Sequence, residues 1–76
     1  MKYDEARKMY GELIRPTEAA LQLGTTSPAI YYFWEIGKLT KIEVEFEDKK
    51  TRRYCILTEI NRLKEERNQK EYHEMA

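Results

Sequence analysis

Cysteine, histidine and glycine are scarce in this chain, and each scarcity closes off a class of chemistry. One cysteine, Cys55, and one histidine, His73, stand well apart. Neither a zinc site nor a Cys-His nucleophile can be assembled from them, and a lone cysteine has no internal disulfide partner, in keeping with a reducing compartment. Gly11, Gly24 and Gly37 are scattered singly, so no glycine-rich loop is available to cradle a nucleotide phosphate. No pair of carboxylates is brought by the pattern into a pocket. The expectation is a protein that is not an enzyme and carries no cofactor or metal. No apolar run approaches the roughly 18 residues of a membrane span, and no basic-then-apolar leader precedes a cleavage site. That gives a cytoplasmic address and no membrane partner. Internal repeats and low-complexity tracts are lacking too.

Charge of one sign is also missing. Fourteen Lys and Arg balance fourteen Asp and Glu, which argues against a strongly basic, sequence-indifferent binder of nucleic acid. The distribution is uneven, however. Over residues 38–54, six cations (Lys38, Lys41, Lys49, Lys50, Arg52, Arg53) stand against four anions (Glu43, Glu45, Glu47, Asp48). Any electrostatic footprint for phosphate therefore sits there. With 76 residues, 37% charged and 41% hydrophobic, the chain has room for one domain (residues 1–76) and one modest core under a well-solvated surface.

What is present is organised around residues 16–39, PTEAALQLGTTSPAIYYFWEIGKL, which read as two short helices joined by a tight turn. The first carries Ala19, Ala20 and Leu23, and Gly24 closes it in the left-handed conformation. Thr26 is the expected N-cap of the second helix through its hydroxyl, with Ser27 and Pro28 in the first turn. Ala20, Gly24 and Ile30 stand where a helix-turn-helix needs a small residue, a turn glycine and a branched apolar anchor. In the second helix, expected to run to Gly37, the set Ile30, Phe33, Trp34 and Gly37 faces the core. Pro28, Tyr31, Tyr32 and Glu35 face outward. Exposed tyrosines can donate to phosphates, and they also mark protein interfaces. Glu35 on that face repels phosphate.

Residues 1–13 place Tyr3, Ala6, Met9, Tyr10 and Leu13 on one apolar stripe, an N-terminal helix that covers the core. Residues 41–57 change period to two: Ile42, Val44 and Phe46 alternate with charges, Asp48 to Lys50 turn, and the chain returns with Tyr54 and Ile56 on one face. This is a hairpin, in which Glu side chains can pair with Arg53 across the ladder and Lys49, Lys50, Arg52 and Arg53 cluster at the tip. Cys55 is expected to face outward or pack at the hairpin edge. Thr58 caps a last helix over residues 58–70, with Ile60 and Leu63 inward and Glu59, Glu65, Glu66, Arg67 and Lys70 toward water. The tail, with Tyr72 and Met75, reads as a frayed end or a segment that orders on a partner.

This order, with Glu18-Ala19-Ala20, Leu23-Gly24, Ile30-Tyr31, Gly37-Lys38-Leu39 and Arg52-Arg53-Tyr54, resembles the winged helix-turn-helix of the excisionase and MerR-like families over roughly residues 14–63. The resemblance implies a mainly α, α+β fold with a two-stranded β-hairpin wing and helices at both ends. It also implies double-stranded DNA as partner. Carried over by position, Thr26, Ser27, Tyr31 and Tyr32 meet DNA from the second helix, Lys38 from its end, and Lys49, Lys50, Arg52 and Arg53 from the wing. The chain departs from the families in having Ser27 and Tyr32 where arginine is common, so no bidentate guanine contact comes from the helix. It also lacks the long coiled coil of full MerR regulators, which leaves the short phage or mobile-element form as the nearer likeness, a regulator or excision-type architectural factor. The rival keeps the fold and drops the DNA: an adaptor that docks a phage or host protein through Tyr31 and Tyr32. Self-association through an end helix is a third reading.

Overall fold

The computed structural model describes residues 1–75, with side chains described as far as Arg67. The elements are α1 (Tyr3–Tyr10), β1 (Leu13–Ile14), α2 (Pro16–Leu23), α3 (Ser27–Glu35), β2 (Ile42–Glu45), β3 (Thr51–Ile56) and α4 (Leu57–Met75). These described residues form a small, mainly helical α+β fold with one antiparallel sheet, in strand order β1-β3-β2.

Two glycines set where the central helices stop. After α2, Gly24 sits at φ +65°, ψ +36°. Its N–H donates to the Leu21 carbonyl and that of Thr25 to the Ala20 carbonyl, at 3.2 and 2.9 Å. After α3, Gly37 at φ +77° repeats the device, with its N–H on Trp34 and that of Lys38 on Phe33 at 3.2 and 2.8 Å. Both are Schellman closures, which satisfy carbonyls the helix leaves orphaned and need a residue tolerant of positive φ. The chain thus reverses twice within a few residues, and α2 and α3 are held against each other around Ala20 and Ile30, at 3% and 0% exposure. Full burial of Ile30 is worth about 2–3 kcal/mol.

The central strand serves two cores. Ile56 turns one way with Ile42 and Val44 of β2 and Leu13 of β1, onto Ala6 of α1. Cys55 turns the other way, with Ile14, into the larger cluster of Ala19, Leu23, Ile30, Leu39, Ile60 and Leu63. Period-two alternation along β3 is what divides them. Two long-range contacts fix α4. The Glu59 carboxylate accepts from the backbone N–H and the hydroxyl of Thr40, both at 2.8 Å. Arg67 donates to the Leu23 carbonyl at 2.6 Å, on the last turn of α2.

Several sequence expectations change here. The first helix does not fill residues 1–13: it ends at Tyr10, Gly11 follows at φ +80°, and Leu13 belongs to β1. Met9, expected on the buried stripe, is 65% exposed. The hairpin is not an isolated pair of strands, because Leu13 and Ile14 register with Ile56 and Cys55. A two-residue strand shows no period, and its hydrogen bonds come from the far end of the hairpin. Helix α3 stops at Glu35, so Gly37 is not on its core face, and Phe33 and Trp34 are half-buried flanks of the core. Thr26 holds the N-cap position in extended conformation without a side-chain hydrogen bond.

Thr58 is not a cap either. The last helix begins at Leu57, directly after β3, and the Leu57 N–H is taken by the Glu12 carbonyl at 2.9 Å. Cys55 is fully buried instead of facing outward. Arg67 is exposed, as expected, and also donates to the Leu23 carbonyl, whereas Glu59 is half-buried on Thr40. The backbone of α4 runs on past residue 70 to Met75, and the side chains of Lys70, Tyr72, His73 and Met75 lie outside the described residues. Among the described residues no helix is long and apolar enough to cross a membrane.

Candidate nucleic-acid interface

Two tyrosines stand on the open side of α3, Tyr31 at 49% and Tyr32 at 56% exposure. Successive residues on a helix diverge by about 100°, so they meet different neighbours. Tyr31 lies 5.4 Å from the Trp34 ring, and Tyr32 lies 6.4 Å from that of Phe33. Each is steadied by a half-buried aromatic while its hydroxyl end faces solvent. Thr26 and Ser27, at the start of the same helix, are exposed and half-exposed.

Beside Tyr31 the chain forms a hollow of about 530 Å³ whose other walls are Arg15, Pro16, Glu43, Thr51, Arg52 and Arg53. The fold places them there for separate reasons. Because β1 is short, it leaves residues 51–54 of β3 unpaired on that edge, and Arg15 departs from β1 toward α2 just where the gap opens. The Arg15 guanidinium lies 5.3 Å over the Tyr54 ring, and that of Arg52 lies 5.5 Å over Phe46. Such stacking is worth about 0.5–1 kcal/mol at exposed sites and positions a flexible arginine without neutralising it. Arg53 stands opposite Glu43 in the ladder, with Nε 3.8 Å from Glu43 Oε1, and Lys41 reaches the same oxygen at 3.6 Å. All three side chains are about half exposed, so these pairs add well under about 1 kcal/mol of stability.

A smaller hollow of about 270 Å³ joins Tyr31 and Trp34 to Glu35, Lys41 and Arg53. Glu35 is thus flanked by cations. At the hairpin tip, the Lys49 N–H donates to the Phe46 carbonyl at 2.9 Å and the Phe46 N–H to the Lys50 carbonyl at 3.0 Å. Lys49 adopts φ +64°, the one non-glycine residue there among those described. Holding a lysine in that conformation costs roughly 1–2 kcal/mol. Lys50 is exposed beside it, its N–H on Asp48 Oδ1 at 3.1 Å.

Of the nine residues singled out in the sequence, Tyr31, Arg52 and Arg53 share the large hollow. Lys49 and Lys50 are exposed at the hairpin tip and are not among its walls. Lys38 does not join them: its ammonium lies 5.3 Å over the Phe33 ring, and it lines a separate recess with Leu63, Glu66 and Arg67. Two members of the cationic surface were not foreseen. Lys41 enters the sequence reading only through the charge balance, and Arg15 does not enter it at all. Arg15 had no signal to find, since its position depends on a strand that shows no period.

Beneath this surface Cys55 joins β3 to the helices. Its thiol is pushed up to about 11, first by burial and then by the Glu59 carboxylate, while the Trp34 indole N–H draws it slightly back. That indole N–H is buried and makes no full hydrogen bond. A thiol so placed is protonated and inert near neutrality, a packing residue with no chemistry. The chain matches no known family model, no curated protein and no solved structure.

Proposed function

We propose that this protein is a small winged helix-turn-helix binder of double-stranded DNA, a cytoplasmic phage or mobile-element regulator or excision-type architectural factor. In this reading α3 enters the major groove from Ser27 to Glu35, and the β2-β3 hairpin is the wing that holds the flanking backbone. The observation that carries it is the hollow shared by Tyr31 of α3 with Arg52 and Arg53 of β3. A helix and a hairpin that reach DNA together must present their donors on one continuous surface. The strand order β1-β3-β2, with α2 and α3 between β1 and β2, supports the same architecture. Thr26, Ser27 and Tyr31 are the contacts along α3, with Tyr32 on its flank. Arg52 and Arg53, with Lys49 and Lys50, clamp phosphates, and Lys38, which lines the separate recess beside α4, is left out of the interface. Since phosphate contacts dominate, affinity falls steeply with salt. A mobility-shift titration at low salt tests this: Arg52→Ala with Arg53→Ala lowers affinity about equally on every duplex, and unchanged binding rejects the wing assignment.

A second reading rests on Tyr32 and Ile36, neighbours at the end of α3 that are 56% and 53% exposed. An exposed tyrosine beside an exposed isoleucine suits a protein partner, and the protein is then an adaptor on the same fold. No shift of random duplex at micromolar protein favours that reading.

A further inference from the structure

We infer that the hollow beside Tyr31 seats one backbone phosphate of DNA, that Arg15 is its third guanidinium, and that Glu43 is the counter-ion which that phosphate displaces. The inference rests on the DNA reading above and adds to it two residues of opposite effect. Arg15 from the junction of β1 and α2 meets Arg52 and Arg53 of β3 on the walls of a single hollow, against one carboxylate, Glu43. Guanidinium groups present planar forks of donors that match phosphate oxygens, and Tyr31 adds a hydroxyl donor. Among the described residues Arg15 has no carboxylate within ion-pair distance. It rests on the Tyr54 ring, so its charge is held in place and left available.

Glu43 behaves differently. One oxygen, Oε1, is shared by Lys41 at 3.6 Å and Arg53 at 3.8 Å. In the free protein it therefore screens Arg53, one of the seat's guanidiniums, and Lys41 beside it. A phosphodiester arriving at Arg53 must compete with this carboxylate and then lie beside it, so Glu43 lowers affinity for any duplex. A carboxylate whose only part is to steady the hairpin would have the opposite consequence: its loss would loosen the wing and weaken binding. The two roles predict opposite signs.

The test measures binding of the full chain to a fluorescent duplex of about two helical turns by anisotropy, across a salt series, with thermal melting as the folding control. Arg15→Ala is expected to weaken binding about three- to tenfold and to lower the salt slope by about one, with Arg15→Lys recovering most of it. Glu43→Gln is expected to tighten binding about threefold and to steepen the slope, because one more cation is free to release counter-ions. Both variants sit at the surface and should melt close to the parent. The seat is overturned unless these two substitutions move affinity in opposite directions. If they fail to do so while Arg52→Ala with Arg53→Ala still weakens binding, the phosphate seat falls and the DNA reading stands. If the parent protein shifts no duplex, both fall.

Discussion

The two long edges of the β2-β3 hairpin carry opposite charge. Along the β3 edge, Arg15, Arg52 and Arg53 surround one hollow with Glu43. Along the β2 edge, a hollow of about 560 Å³ under the start of α1 is walled by Asp4, Glu45, Glu47 and Asp48 against Lys2. The N-terminal strap reinforces this edge, since the Glu45 N–H donates to the Met1 carbonyl at 2.9 Å. A formal charge of zero therefore conceals two opposed surfaces. Screening confines each field to about 10 Å at ordinary salt, so a polyanion reaching the β3 edge feels mainly arginines. The acidic edge would then orient the encounter by rejecting the wrong approach.

The largest expected effect breaks the contrast outright. Replacing Arg52 and Arg53 by alanine removes two phosphate contacts and should cost tenfold or more in affinity at about 0.1 M salt, with a salt slope lower by about two. Next comes the support beneath that edge. Cys55→Ser buries a hydroxyl where a thiol packs, and denaturant melts should show a loss of about 1–3 kcal/mol, whereas Cys55→Ala should cost less. The same residue gives a pH test. Its folded pKa, about 11, lies above the ordinary 9.0, so its contribution is complete below about pH 9 and is lost as pH rises toward 11. Melting across that range should show a decline attributable to Cys55, and Cys55→Ala should abolish that part of it.

A smaller effect separates stability from binding at the tip. Lys49→Gly relieves the positive-φ strain and should raise stability by about 1 kcal/mol while weakening DNA binding about threefold through one lost contact. A variant that gains stability with no loss of affinity would remove the tip from the interface. The smallest effect is expected on the acidic edge, where Glu47→Gln should change affinity less than about twofold because it lies off the arginine surface. A gain as large as that of Glu43→Gln would mean that the two edges are not distinct.

Much of the scaffold was legible because it is written locally. The α2-turn-α3 unit follows from Gly24, Pro28 and the spacing of Ala20 and Ile30. The hairpin follows from the alternation through Ile42 and Val44, and the Glu43 to Arg53 pairing from the same register. The parts that escaped depend on distant partners. Leu13 is helical by its spacing, and it and Ile14 are extended because β3 offers them a ladder. Cys55 lies deep because β1 and α4 close over it, which no single window of sequence expresses. The candidate site divides in the same way. Tyr31 and Arg53 could be named from patterns within their own elements. Arg15 could not, and Lys38 was misplaced relative to them because α3 stops at Glu35 and its glycine closure turns the chain toward α4.

Strand β3 passes into α4 with no residue between Ile56 and Leu57. Nineteen residues of helix reach about 28 Å from that junction, and within the same arm Arg67 is fastened to the end of α2. Hairpin and helix are therefore continuous, anchored at the Glu12 carbonyl and again at the end of α2, so a load applied to the far end of α4 is shared between α2 and the arginine strand.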